Sequence, residues 1–266
     1  MTKQNRYEDI IEGIFQTHYR KGISEFDFAR EELERLAEAL HVKLPKNLGD
    51  LIYSFRYRMP LPESIRRTAA KGKEWVIRPA GRGQYRFALA GAAPIAPRPH
   101  APETKIPDGT PGLIAKYAFS DEQALLAKVR YNRLLDIFCR VAAYSLQSHL
   151  RTTVPGLGQV ETDEIYVGIN RCGAHYVFPV QAKGGKDKLH FIQIEQDLAL
   201  CKHKFPGLAC RPIGAQFLAG DVIVLYEFRE IDGVLKVISE EHYRLVPADQ
   251  VTPDDLKAYA ALVDKE

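Results

Sequence analysis

Asp163, Gln181 and Lys183 are the polar residues whose types and spacing most suggest chemistry. They lie in VETDEIYVGINRCGAHYVFPVQAK, residues 160–183, which reads as two strands around a tight turn. Residues 160–169 are rich in β-branched and apolar side chains, 170–173 supply turn chemistry, and 175–180 resume the strand pattern. Folding this hairpin about Arg171 and Cys172 brings Asp163 roughly opposite Val180 and beside Gln181. Side chains alternate along a strand, so Gln181 and Lys183 share one face. A carboxylate, an amide oxygen and an ammonium then converge at the end of a sheet. Such a set suits a hard divalent cation, which takes oxygen ligands, with a lysine near its water.

Asp163 followed after a hairpin by Gln181-Ala182-Lys183 resembles the PD-(D/E)xK nucleases, the restriction-endonuclease-like superfamily. Glutamine stands where the second acid usually stands, as in some Mrr-like members. The resemblance implies hydrolysis of DNA phosphodiesters with Mg²⁺, leaving a 5′-phosphate and a 3′-hydroxyl. It assigns Asp163, Gln181 and the Ala182 carbonyl to the metal. It assigns Lys183 to the attacking water and to the charge developing on the phosphate. Glu161 shares a strand face with Asp163 and is a second candidate ligand. Many members take a further acid from the preceding helix, and here both Glu122 and Asp136 remain open. Cutting both strands of a duplex calls for two such sites, so a homodimer is expected. The competing reading is a surface lysine and a solvated glutamine at a strand end.

At 266 residues, 45% apolar and 27% charged, the chain has the composition of a soluble globular protein with one large or two modest domains. No apolar run approaches the roughly 20 residues of a membrane span. The opening MTKQNRYEDII lacks the apolar core of a signal peptide, so a cytoplasmic location is expected. Four cysteines make no disulfide framework at this length. Cys172 with His175, and Cys201 with His203 and Cys210, fit no common zinc-finger spacing. Charge is concentrated rather than large. Between Tyr53 and Arg98 ten basic residues face only Glu63 and Glu74, a local excess of +8. Such a cluster favours a polyanionic partner such as double-stranded DNA.

The elements that must carry these residues follow from periodicity. Apolar residues at helical spacing predict helices over 7–18, about 27–40, and from Asn47 (a cap, with Asp50 three residues on) to Arg58. A short basic helix follows toward Ala70. Residues 75–78, a Gly81-Arg82-Gly83 turn and residues 85–89 predict a β-hairpin. Several short helices and then a hairpin is the order of a winged helix-turn-helix, whose third helix enters the major groove. Arg56, Arg58, Arg82 and Arg86 stand where that reading needs DNA contacts, with Tyr57 among them. Six prolines between 90 and 112 predict an extended linker. A long helix is expected from Ser120, its N-cap, with Asp121 and Glu122 in the first turn, to about Leu150. Strands follow, then Gly184-Gly185, and then a helix over 186–204 with Leu189, Ile192, Leu198 and Leu200 inward. Further strands cover 214–218, 222–228, 234–239 and 242–246, and a helix from Thr252 closes the chain. The expected fold class is α+β: a winged-helix-like domain over 1–90, a linker over 91–112, and an αβββαβ mixed-sheet domain like the restriction endonucleases over 113–266. The alternative function is a non-catalytic DNA-binding regulator whose C-terminal domain senses a ligand or dimerises.

Overall fold

The computed structural model describes residues 7–45, 48–57, 59–91, 95–117, 122–184, 187–232 and 234–263. Asn47, Arg58, Ser120, Asp121, Gly185 and Lys186 lie outside the described residues, as do the side chains of Asp50, Arg56 and Tyr57. The chain is α+β and divides into two compact units. One is Met1–Ala93 with Thr153–Gln159, and the other is Pro94–Thr152 with Val160–Glu266. Among the described residues no helix is long and apolar enough to cross a membrane.

The first unit contains α1 (Glu8–His18), β1 (Glu25–Ala29), α2 (Arg30–Ala39), α3 (Leu48–Tyr57), α4 (Glu63–Arg66), β2 (Lys73–Gly81) and β3 (Gln84–Gly91). Its sheet has the order β1-β3-β2, both pairings antiparallel. Ile10, Ile11, Ile14 and Phe15 form the buried stripe of α1. Phe15 seats that helix in an aromatic core, with ring centroids 5.1 Å from Trp75 and 5.3 Å from Phe87. The helix expected from about residue 27 begins only at Arg30. Glu25–Ala29 alternates polar and apolar side chains, a period of two that suits a strand, and it pairs with β3. The Ala29 N–H then donates to Glu32 Oε1 at 2.8 Å, which starts α2.

The second unit contains β4 (Glu103–Pro107), α5 (Gly112–Tyr117), α6 (Glu122–Tyr131), α7 (Leu134–Cys139), all but the last two residues of β5 (Ala142–Val154), all but the first two of β6 (Gly158–Ile169), β7 (His175–Lys183), α8 (Phe191–Lys204), β8 (Ala209–Cys210), β9 (Ile213–Phe217), β10 (Val222–Ile231), β11 (Val234–Val246) and α9 (Pro253–Val263). The sheet order is β4-β11-β10-β9-β7-β6-β5, with β8 beside β7. It mixes parallel pairings (β4 with β11, β7 with β9) and antiparallel ones. Along β10 the pleat sends Ile223 and Leu225 into a core shared with α6 and α7. Val222, Val224, Tyr226 and Phe228 enter the opposite core, with Leu189 and Ile194. The centre of the sheet is therefore buried on both faces.

Four expectations need correction here. The long helix from Ser120 to Leu150 is instead two short helices and a strand. Arg133 and Arg140 take left-handed backbone at φ 50° and 56°, which ends each helical run, and β5 then pairs along β6. The Pro-rich interval is not an open linker throughout. Ile95 is buried and bridges to Leu189, and residues 103–107 form β4 alongside β11. Prolines are absent from 103 to 106, so those amides are free to enter the ladder. The helix expected over 186–204 opens only at Phe191, and the two segments from 234 to 246 form one strand.

Candidate active site

The hairpin of β6 and β7 runs in register from Ile169↔His175 to Glu164↔Val180. Asn170 builds its turn, its side-chain oxygen accepting from the Cys172 and Ala174 N–H groups. Beyond Glu164↔Val180 the next contact across the strands involves a side chain. The Ala182 N–H donates to Asp163 Oδ2 at 2.8 Å. Asp163 thus lies one step further along than opposite Val180, held against Ala182 and flanked by Gln181 and Lys183.

Lys183 Nζ lies 2.7 Å from Glu122 Oε1, in the first turn of α6. Of the two helix acids that the sequence offered, Glu122 is therefore the one beside Lys183, and Asp136 is engaged elsewhere. It pairs with Arg133 and accepts from the Ala143 N–H at 3.0 Å, fixing the start of β5. The placement of α6 is secured further down the helix. Arg130 donates through Nε and Nη2 to Oε1 of fully buried Glu164, at 3.0 and 2.6 Å. Burial raises the Asp163 carboxyl above its ordinary value. The Ala182 N–H and the Lys183 charge act against that rise, while Glu122 reinforces it.

Gln181 is buried, and one atom of its amide makes two contacts: Nε2 to the Glu161 carbonyl at 3.2 Å and to Asp197 Oδ1 at 3.1 Å. A backbone carbonyl only accepts, so the atom facing it is the nitrogen and the amide oxygen is turned away from both partners. Asp197, on α8, is fully buried, and its Oδ2 has no hydrogen-bond partner among the described residues. Burial pushes its carboxyl well above the usual carboxylate range, and nearby Asp163 adds to that, while Gln181 and Thr162 oppose it.

Sequence reasoning missed Asp197, His149 and Gln123. Asp197 had a signal: it sits three residues after Ile194 and three before Leu200, both buried, in the inward stripe of α8. Leu198, expected inward, is only partly buried. His149 has positive φ (50°) on β5; its Nε2 lies 2.9 Å from Gln123 Nε2 and its Nδ1 3.8 Å from Glu161 Oε1.

Two other candidates are placed differently from expectation. Glu161 directs its carboxylate to Arg151, at 2.7 and 3.1 Å, and only its backbone carbonyl meets Gln181. Ala182 contributes its N–H to the site, where its carbonyl had been expected. Among the described residues no three His, Cys, Asp or Glu side chains gather closely enough to hold a metal by themselves. The Asp163 carboxylate, the Glu122 carboxylate and the Gln181 amide oxygen are nonetheless hard donors. Mg²⁺ characteristically takes one or two carboxylates, with waters and substrate phosphate completing its shell, so the donor set fits that ion.

The basic cluster of the first unit is smaller as a surface than as a count. Arg86 donates to both carboxylate oxygens of Asp27, at 2.6 and 2.9 Å. Arg66 and Arg67 pair with Glu63, while Arg98, which belongs to the second unit, pairs there with Glu240. Arg82 is exposed at the turn between β2 and β3. No protein-family model matches the chain, and no curated protein or solved structure matches it.

Proposed function

We propose that this protein is a Mg²⁺-dependent DNA endonuclease of the PD-(D/E)xK type, acting in the cytoplasm as a homodimer on duplex DNA. The observation that carries the reading is the meeting of Glu122, Asp163 and Lys183 where β6 and β7 leave their shared ladder. The succession α6–α7, β5, β6, β7, α8, β9 supports it, being the αβββαβ order of that fold. The first unit's order of helix, strand, three helices and an antiparallel hairpin supports a winged helix, with Arg82 on its wing and Arg56 near the end of its third helix; Arg58 lies outside the described residues.

Bound Mg²⁺ supplies a Lewis acid and a water of lowered pKa. Asp163 and the Gln181 amide oxygen would hold it, with the Glu122 carboxylate a further candidate donor. Lys183, fixed by Glu122, orients the attacking water and places positive charge against the phosphate oxygens as the new bond forms. The Ala182 N–H fixes one oxygen of Asp163 and so sets the direction of the other.

A second reading, a non-catalytic DNA-binding regulator, draws on one observation. The Lys183–Glu122 pair and glutamine at 181 leave the site poorer in unpaired negative charge than a pair of free acids. Nicking of supercoiled plasmid with and without Mg²⁺ separates the two. The endonuclease reading expects Mg²⁺-dependent nicking that Asp163→Ala reduces at least a hundredfold with DNA binding retained. Wild-type protein that binds DNA without nicking, across divalent cations and methylation states, refutes it.

A further inference from the structure

We propose that Asp197 is a positioning residue that aims the Gln181 carbonyl oxygen at the cation, a role resting on the endonuclease reading. Gln181 could present either end of its amide to the site, and the ends differ in kind, since one donates and the other accepts. Two acceptors decide between them. The Glu161 carbonyl and Asp197 Oδ1 both contact Nε2, at 3.2 and 3.1 Å. The carbonyl belongs to the neighbouring strand, whereas Asp197 comes from α8 and lies fully buried.

Burying a carboxyl with an oxygen lacking a partner opposes folding. An apolar residue of the same shape on that stripe of α8 would fit among Ile194, Leu200 and Cys201 without that cost. The acid contributes orientation in exchange. It holds Nε2 inward and so makes an uncharged glutamine act as an oxygen ligand. Supporting partners of this kind fix the geometry of metal ligands, and losing one typically weakens metal affinity by roughly 10- to 100-fold.

The substitutions are Asp197→Leu, which keeps the branched shape and removes the acceptor, and Asp197→Asn, which keeps an acceptor oxygen. Full-length wild type, both variants and Asp163→Ala are titrated with Mn²⁺ alone by calorimetry, and each is melted without metal. The expected result is a Mn²⁺ dissociation constant raised about 10- to 100-fold in Asp197→Leu, with its thermal midpoint unchanged or higher. Asp197→Asn binds within about threefold of wild type. A role in packing alone predicts the opposite pattern, a lower midpoint with unchanged affinity, and that pattern overturns the proposal. So does equal loss of affinity in both Asp197 variants. If wild type binds no Mn²⁺, or Asp163→Ala binds as well as wild type, the endonuclease reading falls and this role falls with it. Asp163-dependent binding that Asp197→Leu leaves untouched overturns the positioning role alone.

Discussion

Replacing Lys183 with methionine separates a catalytic lysine from a structural ion pair. Lys183 is 15% exposed and its partner Glu122 is 38% exposed, with 2.7 Å between the charged atoms. At that distance two unit charges attract by about 6 kcal/mol at an effective dielectric of 20, and by about 1.5 kcal/mol in water. Desolvation of the lysine and solvent screening of the half-exposed glutamate remove most of the larger figure. The net loss on removing Lys183 is therefore about 1–2 kcal/mol, above an exposed pair and below a fully buried one. Methionine retains most of the side-chain packing, so no large cavity term adds to it. A domain of ordinary stability, about 5–15 kcal/mol, stays more than 99% folded after such a loss. A group that acts on charge developing in the transition state contributes more, about 2.7–4 kcal/mol, or 10²–10³ in rate. Single-turnover nicking with Mg²⁺ and urea denaturation of the same samples measure the two quantities. The expected outcome is a rate down at least a hundredfold beside a stability loss of about 1–2 kcal/mol. A folded Lys183→Met protein that cleaves within tenfold of wild type refutes the role given to this lysine.

Three further outcomes test other parts of the structure. Burial raises the Asp197 carboxyl, so the folded state holds that proton more tightly than the unfolded chain. Stability is then intact below the unfolded pKa of about 4 and falls as pH rises from there toward the raised folded value. Asp197→Asn abolishes this fall; its melting midpoint should match wild type near pH 3 and exceed it increasingly toward neutrality, and a pH-independent difference would contradict the assignment. Arg82 is exposed whereas Arg86 is tied to Asp27. Arg82→Ala should therefore flatten the salt dependence of DNA binding by about one unit, and Arg86→Ala should change it less, as read by fluorescence anisotropy between 50 and 200 mM salt. Gly214→Ala should destabilise by about 1–3 kcal/mol in urea, because its Cβ would meet Leu189 Cδ1 at 2.7 Å and Phe228 Cε2 at 3.1 Å.

What the sequence determined by itself is whatever depends on neighbours along the chain. The β6–β7 hairpin was legible because Asn170 and Gly173 announce a turn between two β-rich runs, and that hairpin alone brings Asp163 to Gln181 and Lys183. The β2–β3 hairpin was legible for the same reason, from Gly81-Arg82-Gly83. Only the tertiary structure decided the rest. Residues 141–150 carry apolar side chains compatible with helix or strand, and pairing with β6 makes them a strand. Glu122 and Asp136 are equivalent as sequence. The position of α6, clamped by Arg130 on Glu164, gives one to Lys183 while the other caps β5. Arg86 counts as a free cation until the register Asp27↔Arg86 of β1 on β3 sets an acid opposite it. Asp197 lies sixteen residues from Gln181, and no local rule joins them. Their contact exists because α8 packs across the sheet, burying the carboxyl of one against the amide of the other.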